Sequence, residues 1–212
     1  MPGTAEAAEQ PEGASMVIAV FGSSAGRPGD PGYEEARSLG HLLAGAGYTV
    51  ATGGYGGTME ACSRGAAAAG GRVIGVTAPA AFPGRSGANA WVEEEVPAGS
   101  ITERIHLILS MSAACITLDG SIGTLTELMV AWNIAFITGL AGAPAKPVIA
   151  VGPSWAALIP ELVGAVGTDA SMVTLVPDAA AAVAEVRRRV PAEHPSKGSP
   201  PGHDSAQDRA ES

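Results

Sequence analysis

Apolar and polar positions along this chain fall into alternating blocks of two lengths. Short apolar runs, rich in β-branched residues, occupy 16–21, 48–52, 72–77, 112–118, 147–151 and 172–176, and "AWVEEEV" at 90–96 is strand-like. Between them lie longer stretches with helical spacing at 31–46, 57–69, 101–111, 122–138, 154–165 and 178–190. A short unbroken apolar run suits a strand buried on both faces, as parallel strands are. Pro31 opens the first helical stretch, Gly47 follows it, and Gly70-Gly71 close the second, the residues expected at helix starts and stops. Regular strand–helix alternation implies βαβ units and a parallel sheet covered on both sides. The expected fold is therefore α/β: a doubly wound, Rossmann-like parallel sheet with helices on both faces, in a single domain of residues 16–190. Segments 1–15 and 191–212 are rich in Pro, Gly, Ser and charge. They bury too little apolar area to offset the cost of ordering, and disordered tails are expected there.

One helix breaks the usual pattern. Residues 122–138 ("IGTLTELMVAWNIAFIT") are apolar almost all round, whereas a helix lying on a sheet normally keeps a polar outer stripe. Either this helix is central or a second copy of the chain covers it. A homodimer is expected, with Trp132 and Phe136, four apart on one face, as its anchors.

Composition narrows the possibilities. Apolar residues make up 46% and aromatics 4%, with 29 glycines, so the core is built from small aliphatic side chains in close contact. A net charge of −9 argues against binding a nucleic-acid backbone, yet leaves room for one small phosphate held by amides. Cys62 and Cys115 have no metal or redox spacing and are expected to be buried as small hydrophobes. His41, His106, His194 and His203 are scattered, so no metal site is expected, and no cofactor is implied. No apolar stretch attains the ~20 residues of a bilayer span, and the first fifteen residues lack an apolar core segment. The expectation is a cytoplasmic protein without membrane contact.

Three strand-to-helix turns carry the candidate chemistry: "VIAVFGSSAG" at 17–26, "TVATGGYGGTMEA" at 49–61 and "LDGSIGTLTE" at 118–127. Such a turn aims unpaired N–H groups at one spot with the positive end of a helix behind them, which suits a phosphate. Glu127 follows about one helical turn inside the third segment and can reach whatever the phosphate is attached to. The first turn does not match G-x-G-x-x-G, and no Walker lysine follows any of the three. Dinucleotide-dependent oxidoreduction and P-loop phosphoryl transfer are thereby disfavoured. The three turns together indicate a nucleotide site.

The second and third turns resemble the LOG family of nucleoside-5′-monophosphate phosphoribohydrolases, long called lysine decarboxylase-like. The family's P-G-G-x-G-T-x-x-E corresponds to "DGSIGTLTE" at 119–127, its G-G-G-x-x-G-x-M to "GGYGGTMEA" at 53–61, and part of an E-R-K segment to Glu103-Arg104. The likeness runs from about 16 to 165. It implies hydrolysis of the N-glycosidic bond of a nucleoside 5′-monophosphate (AMP or an N6-modified, cytokinin-type AMP) to free base and ribose 5-phosphate. Glu127 and Arg104 would be catalytic. Gly120, Ser121, Gly123 and Thr124 would hold the phosphate, Gly54, Gly57 and Met59 would line the pocket, and Ser23 would stand at its rim. Glu60 could hold the ribose or be an ordinary helix-start acid. Arg104 could equally be a surface partner of Glu103 or Glu93–Glu95, and Thr58 and Thr124 could be helix caps. Decarboxylation needs a pyridoxal-binding lysine, and Lys146 and Lys197 are the only lysines. Three positions depart from the family pattern: Asp119 for proline, Ser121 for glycine and Ile105 for lysine. A carboxylate at the mouth of the turn would repel a phosphate unless it points away. These departures keep a second reading open, a nucleotide-binding or sensing protein without catalysis.

Overall fold

The first strand, β1 (Val17–Phe21), is buried at all five positions and forms the axis of the fold. Its alternate side chains enter different cores, because successive Cβ atoms in a strand point to opposite faces. Ile18 and Val20 belong to one apolar cluster, and Val17, Ala19 and Phe21 to the other. The computed structural model describes residues 15–192, so the tails expected at 1–15 and 191–212 lie almost wholly outside the described residues.

After β1 come α1 (Pro31–Gly45), β2 (Thr49–Thr52), α2 (Thr58–Ala68), β3 (Val73–Thr77), β4 (Glu94–Pro97) and α3 (Ile101–Met111). The second half comprises β5 (Ala114–Thr117), α4 (Ile122–Leu140), β6 (Val148–Val151), α5 (Pro153–Val166), β7 (Val173–Val176) and α6 (Ala179–Arg189). The seven strands make one sheet ordered β4-β3-β2-β1-β5-β6-β7, and every neighbouring pair is parallel. Helices α1, α2 and α6 cover one face through Tyr33, Leu39, Leu43, Cys62 and Val186. Helices α3, α4 and α5 cover the other through Ile108, Leu128, Trp132, Trp155 and Ile159. The doubly wound α/β fold expected from the alternating pattern is therefore the one observed.

Differences from expectation have local causes. The strand expected over 90–96 begins only at Glu94, because Asn89 turns the chain first: its Oδ1 and carbonyl accept the N–H groups of Trp91 and Val92. Helix α4 is 19 residues long with a mean hydropathy of 1.3, so by length and composition it could cross a bilayer, contrary to the expectation that no stretch could. Here its inner face packs on the sheet through Leu128, Ala131, Trp132 and Ala135. Trp132 cannot anchor a second copy, since it is 3% exposed and its indole N–H donates to the Asp169 carbonyl at 3.1 Å. The exposed large apolar residues of α4 are Ile122, Ile134, Ile137 and Leu140. Cys62 and Cys115 are fully buried and burial pushes both thiols up to about 12, consistent with a packing role.

Small residues set the spacing of α1 and α2. A Cβ at Gly40 would fall 2.0 Å from the Cys62 carbonyl oxygen, and one at Gly65 would fall 1.9 Å from that of Arg37. Both obstructions are backbone, so relief requires the two helices to separate. Gly65→Ala is expected to lower stability by about 1–3 kcal/mol, the usual cost of overpacking. Urea unfolding should show a lower midpoint with an unchanged slope.

Candidate functional site

The sheet order reverses at β1, which lies between β2 and β5. In open α/β sheets, ligands bind beyond the carboxyl ends of the strands at such a point. The three glycine turns follow β1, β2 and β5, so the fold gathers segments far apart in sequence at one place. The first two turns are joined directly. The Ser23 carbonyl accepts from the Thr58 N–H at 2.8 Å and from the Thr58 hydroxyl at 3.0 Å. Gly57 is required there: its φ is +72°, and a Cβ would stand 2.4 Å from the Ser23 oxygen. Thr58 therefore ties two turns together instead of capping a helix. The Ser23 hydroxyl accepts from the Ala25 N–H, which leaves the Ser23 backbone as the structural link.

At the third turn, α4 starts after Ser121, which makes no side-chain cap. The N–H groups of Ile122, Gly123 and Thr124 have no acceptor within the helix. Thr124 is 2% exposed and packs beneath Gly120, where a Cβ would lie 2.1 Å from its hydroxyl oxygen. That hydroxyl has no protein hydrogen-bond partner among the described residues, so Thr124 is not a cap either. Asp119 is exposed and leans toward the start of α5, with Oδ1 3.8 Å from the position of a Cβ on Gly152. Asp119, Gly120, Ser121, Ile122 and Leu125 line a cleft of about 400 Å³ together with Ser154, Trp155 and Leu158 of α5.

Arg104 and Glu127 meet between these turns. Arg104 projects from the first turn of α3, which is fixed by a capping box. The Ser100 hydroxyl accepts from the Glu103 N–H, and the Glu103 carboxylate accepts from the Gly99 N–H. Glu103 is thus occupied with the cap and is not the partner of Arg104. The Arg104 side chain is 8% exposed and Glu127 11%, with Nη1 3.7 Å from Oε1. Arg104 Nε donates to the Val76 carbonyl at 2.7 Å, and Nη2 donates to that of Gly53 at 2.9 Å. Met59 Sδ lies 3.6 Å from Nη2, so Met59 walls the guanidinium slot. Gly53 makes the slot possible, because a Cβ there would stand 1.6 Å from Nη2. The surface-pair reading of Arg104 is overturned. Ile105, expected to mark a charge missing from the pocket, instead packs in the apolar cluster beneath α3.

Glu127 accepts no hydrogen bond from any described residue. Burial lifts its carboxyl to about 7, with Arg104 opposing the rise. Burial also lowers Arg104, while Glu127 and Tyr55 oppose that shift, and an arginine stays charged regardless. A half-titrated carboxyl with free lone pairs beside a held cation can accept a proton from water or stabilise a developing positive charge. Glu60, on α2, is half-buried near Gly56.

Several contributors have little sequence signature. Tyr55 is 4% exposed; its ring stands 5.5 Å from the Arg104 guanidinium, and its hydroxyl accepts from the Ala78 N–H. Asn89 donates to the carbonyls of Gly54 and Tyr55, both at 3.0 Å, clamping the second turn from 34 and 35 residues away. The only available hint was an aromatic inside "GGYGG".

Fold and site together define a Rossmann-like α/β protein with a buried arginine–glutamate pair beside the glycine turns at the sheet's switch point. The chain belongs to the SLOG cluster4 family, whose model matches residues 15–154. This bears out the resemblance to the LOG proteins. The chain is 34% identical over 121 residues to a cytokinin riboside 5′-monophosphate phosphoribohydrolase of Mycobacterium tuberculosis, a match spanning 57% of this chain and 62% of that protein. Among solved structures, a molybdenum cofactor binding protein from Rippkaea orientalis aligns with a TM-score of 0.65 at 22% identity, covering 82% of this chain and 97% of that one. The Moco carrier protein of Chlamydomonas reinhardtii aligns at 0.61 and 26%, covering 83% and 98%. DNA processing protein A from Helicobacter pylori, which has a single-stranded DNA binding mode, shares the fold at 0.55 and 14%, covering 82% and 80%.

A proton-binding group raised from 4.5 to about 7 by folding contributes stability that is full below pH 4.5 and is lost as pH rises through 7, because the folded state holds the proton more tightly. Wild type should therefore lose on the order of 3 kcal/mol relative to Glu127→Gln between pH 4.5 and 8. Urea midpoints for the two proteins across that window check it; parallel curves would mean that Glu127 does not titrate this way.

Proposed function

We propose that this protein hydrolyses the N-glycosidic bond of a nucleoside 5′-monophosphate to free base and ribose 5-phosphate. The observation that carries the reading is the buried Arg104–Glu127 pair, placed between a turn suited to phosphate and the turn after β2. The amides after Ser121 and the Thr124 hydroxyl would grip the phosphate. Gly120 and Gly123 let it approach the backbone. Gly54 and Gly57 would shape the ribose side, with Glu60 within reach of its hydroxyls. The bond between C1′ and the base nitrogen breaks as oxocarbenium character develops on the ribose, and the Glu127 carboxylate stabilises that charge and takes a proton from the attacking water. The hydroxyl goes to C1′, the departing base nitrogen takes up a proton from solvent, and Glu127 gives the proton it took back to solvent, so that one water is consumed overall. Arg104 keeps Glu127 oriented and partly ionised.

The similarity to the M. tuberculosis phosphoribohydrolase supports this reaction class. A net charge of −9 favours a small ligand over nucleic acid. The exposed Ile134, Ile137 and Leu140 on α4 favour a second copy against that helix, so the working unit is taken as a cytoplasmic homodimer. A second reading, a nucleotide or cofactor carrier without turnover, is favoured by the likeness to the Chlamydomonas carrier and by Ser121 at a position where the hydrolase motif has glycine.

Product analysis with AMP and N6-isopentenyl-AMP separates the two. Hydrolysis should release base and ribose 5-phosphate, and Glu127→Gln should slow it by about 10²–10⁴-fold. Because the carboxylate is the active form, the rate should rise with pH through about 7, and the variant should lose that limb. Binding without base release in wild type would establish the carrier.

A further inference from the structure

Arg85 lies in the 78–93 segment between β3 and β4, a part of the chain that the mechanism above leaves unused. Its guanidinium stands over the Tyr55 ring at 4.4 Å and over the Phe82 ring at 4.6 Å. Those two rings meet edge to face at 5.6 Å and 76°, so the cation rests in a preformed aromatic corner. Tyr55 also lies 5.5 Å from the Arg104 guanidinium, which puts Arg85 in the shell of the candidate site. Asn89 bonds the same segment to Gly54 and Tyr55, and the Arg85 N–H donates to the Phe82 carbonyl. The segment is therefore held against the second glycine turn.

The guanidinium itself is unspent. No carboxylate or carbonyl among the described residues accepts from it. Nearby Glu95 instead accepts from the Thr77 hydroxyl at 2.7 Å. A cation stacked on aromatic faces directs its donors outward from its edge. Holding an unpaired arginine close to a second one has an electrostatic cost, and the field of Arg85 does oppose the charge on Arg104. A ligand group that accepts hydrogen bonds would offset that cost. The phosphate is assigned to the turn after β5, whereas Arg85 sits beside the turn after β2, so the part of a nucleotide left for it is the base.

We infer that Arg85 is a specificity-determining residue that selects a base with two adjacent acceptors on one edge, a 6-oxopurine, over an adenine. A guanidinium fork matches the O6 and N7 acceptors of such a base, the pairing by which arginine recognises guanine. Adenine offers N7 but presents an amino donor at position 6, which faces a donor. This rests on the nucleotide reading proposed above and names the base within it.

IMP and AMP share the ribose phosphate and the purine ring and differ at position 6 and in the proton on N1, so they are the probes. Turnover and calorimetric binding should be measured with both, using wild type, Arg85→Gln and Arg85→Lys. Wild type should favour IMP, and Arg85→Gln should reduce that preference by about 10–100-fold, mainly through KM or Kd. Arg85→Lys keeps the charge without the fork and should lose most of the preference too. Equal preference in wild type and both variants, or a wild type that favours AMP, overturns the inference and leaves the hydrolase reading standing. Selective IMP binding without base release sinks the hydrolase reading while supporting Arg85. Failure to bind either nucleotide rejects both.

Discussion

A guanidinium and a carboxylate share a buried space beneath three backbone turns, and most features of the site are arranged around that fact. Arg104 can stay charged out of water because Val76 and Gly53 supply carbonyl acceptors and Glu127 supplies the opposite charge. The rest of the local structure accommodates this group. Gly53 leaves room for Nη2, Met59 closes its slot, and Tyr55 lies close by with its ring toward the guanidinium. The cap at Ser100 and Glu103 aims the first turn of α3 at the pair. Removing the cation would strand Glu127; removing the carboxylate would leave the cation with carbonyls alone.

The pair is also chemically unfinished. At 3.7 Å the two groups attract without a direct hydrogen bond, and Glu127 accepts none from elsewhere in the described chain. A purely structural ion pair is usually closed by hydrogen bonds on both sides. An open one with a carboxyl lifted to about 7 is an arrangement that a substrate or water can complete. The same distinction separates Arg104 from Arg85, since one has its donors taken by carbonyls and the other has none taken.

The fold was legible to the extent that it depends on periodicity. Short apolar runs alternating with amphipathic stretches identify buried parallel strands and covering helices, and most expected boundaries lie within two residues of the observed ones. The misreading at 90–96 arose because β-type residues there follow Asn89, whose turn delays the strand until the chain joins β3 at Glu93 and Glu94. Trp132 was misjudged for a related reason. An all-round apolar helix does not say which face meets the sheet, and that depends on how α4 docks onto β5 and β6.

The sequence by itself determined the three glycine turns, the position of Glu127 one helical turn beyond the third, and the family those motifs mark. These are local features, written in neighbouring residues by backbone geometry and helix periodicity. Only the tertiary structure decided that Arg104 faces Glu127 instead of the acidic run Glu93–Glu95, that Ile105 faces the core, and that Asn89 and Arg85 reach back to the second turn. Each of those contacts joins residues far apart in the chain, brought together by strand order in a parallel sheet. No local pattern encodes such a meeting, because it depends on which strands become neighbours.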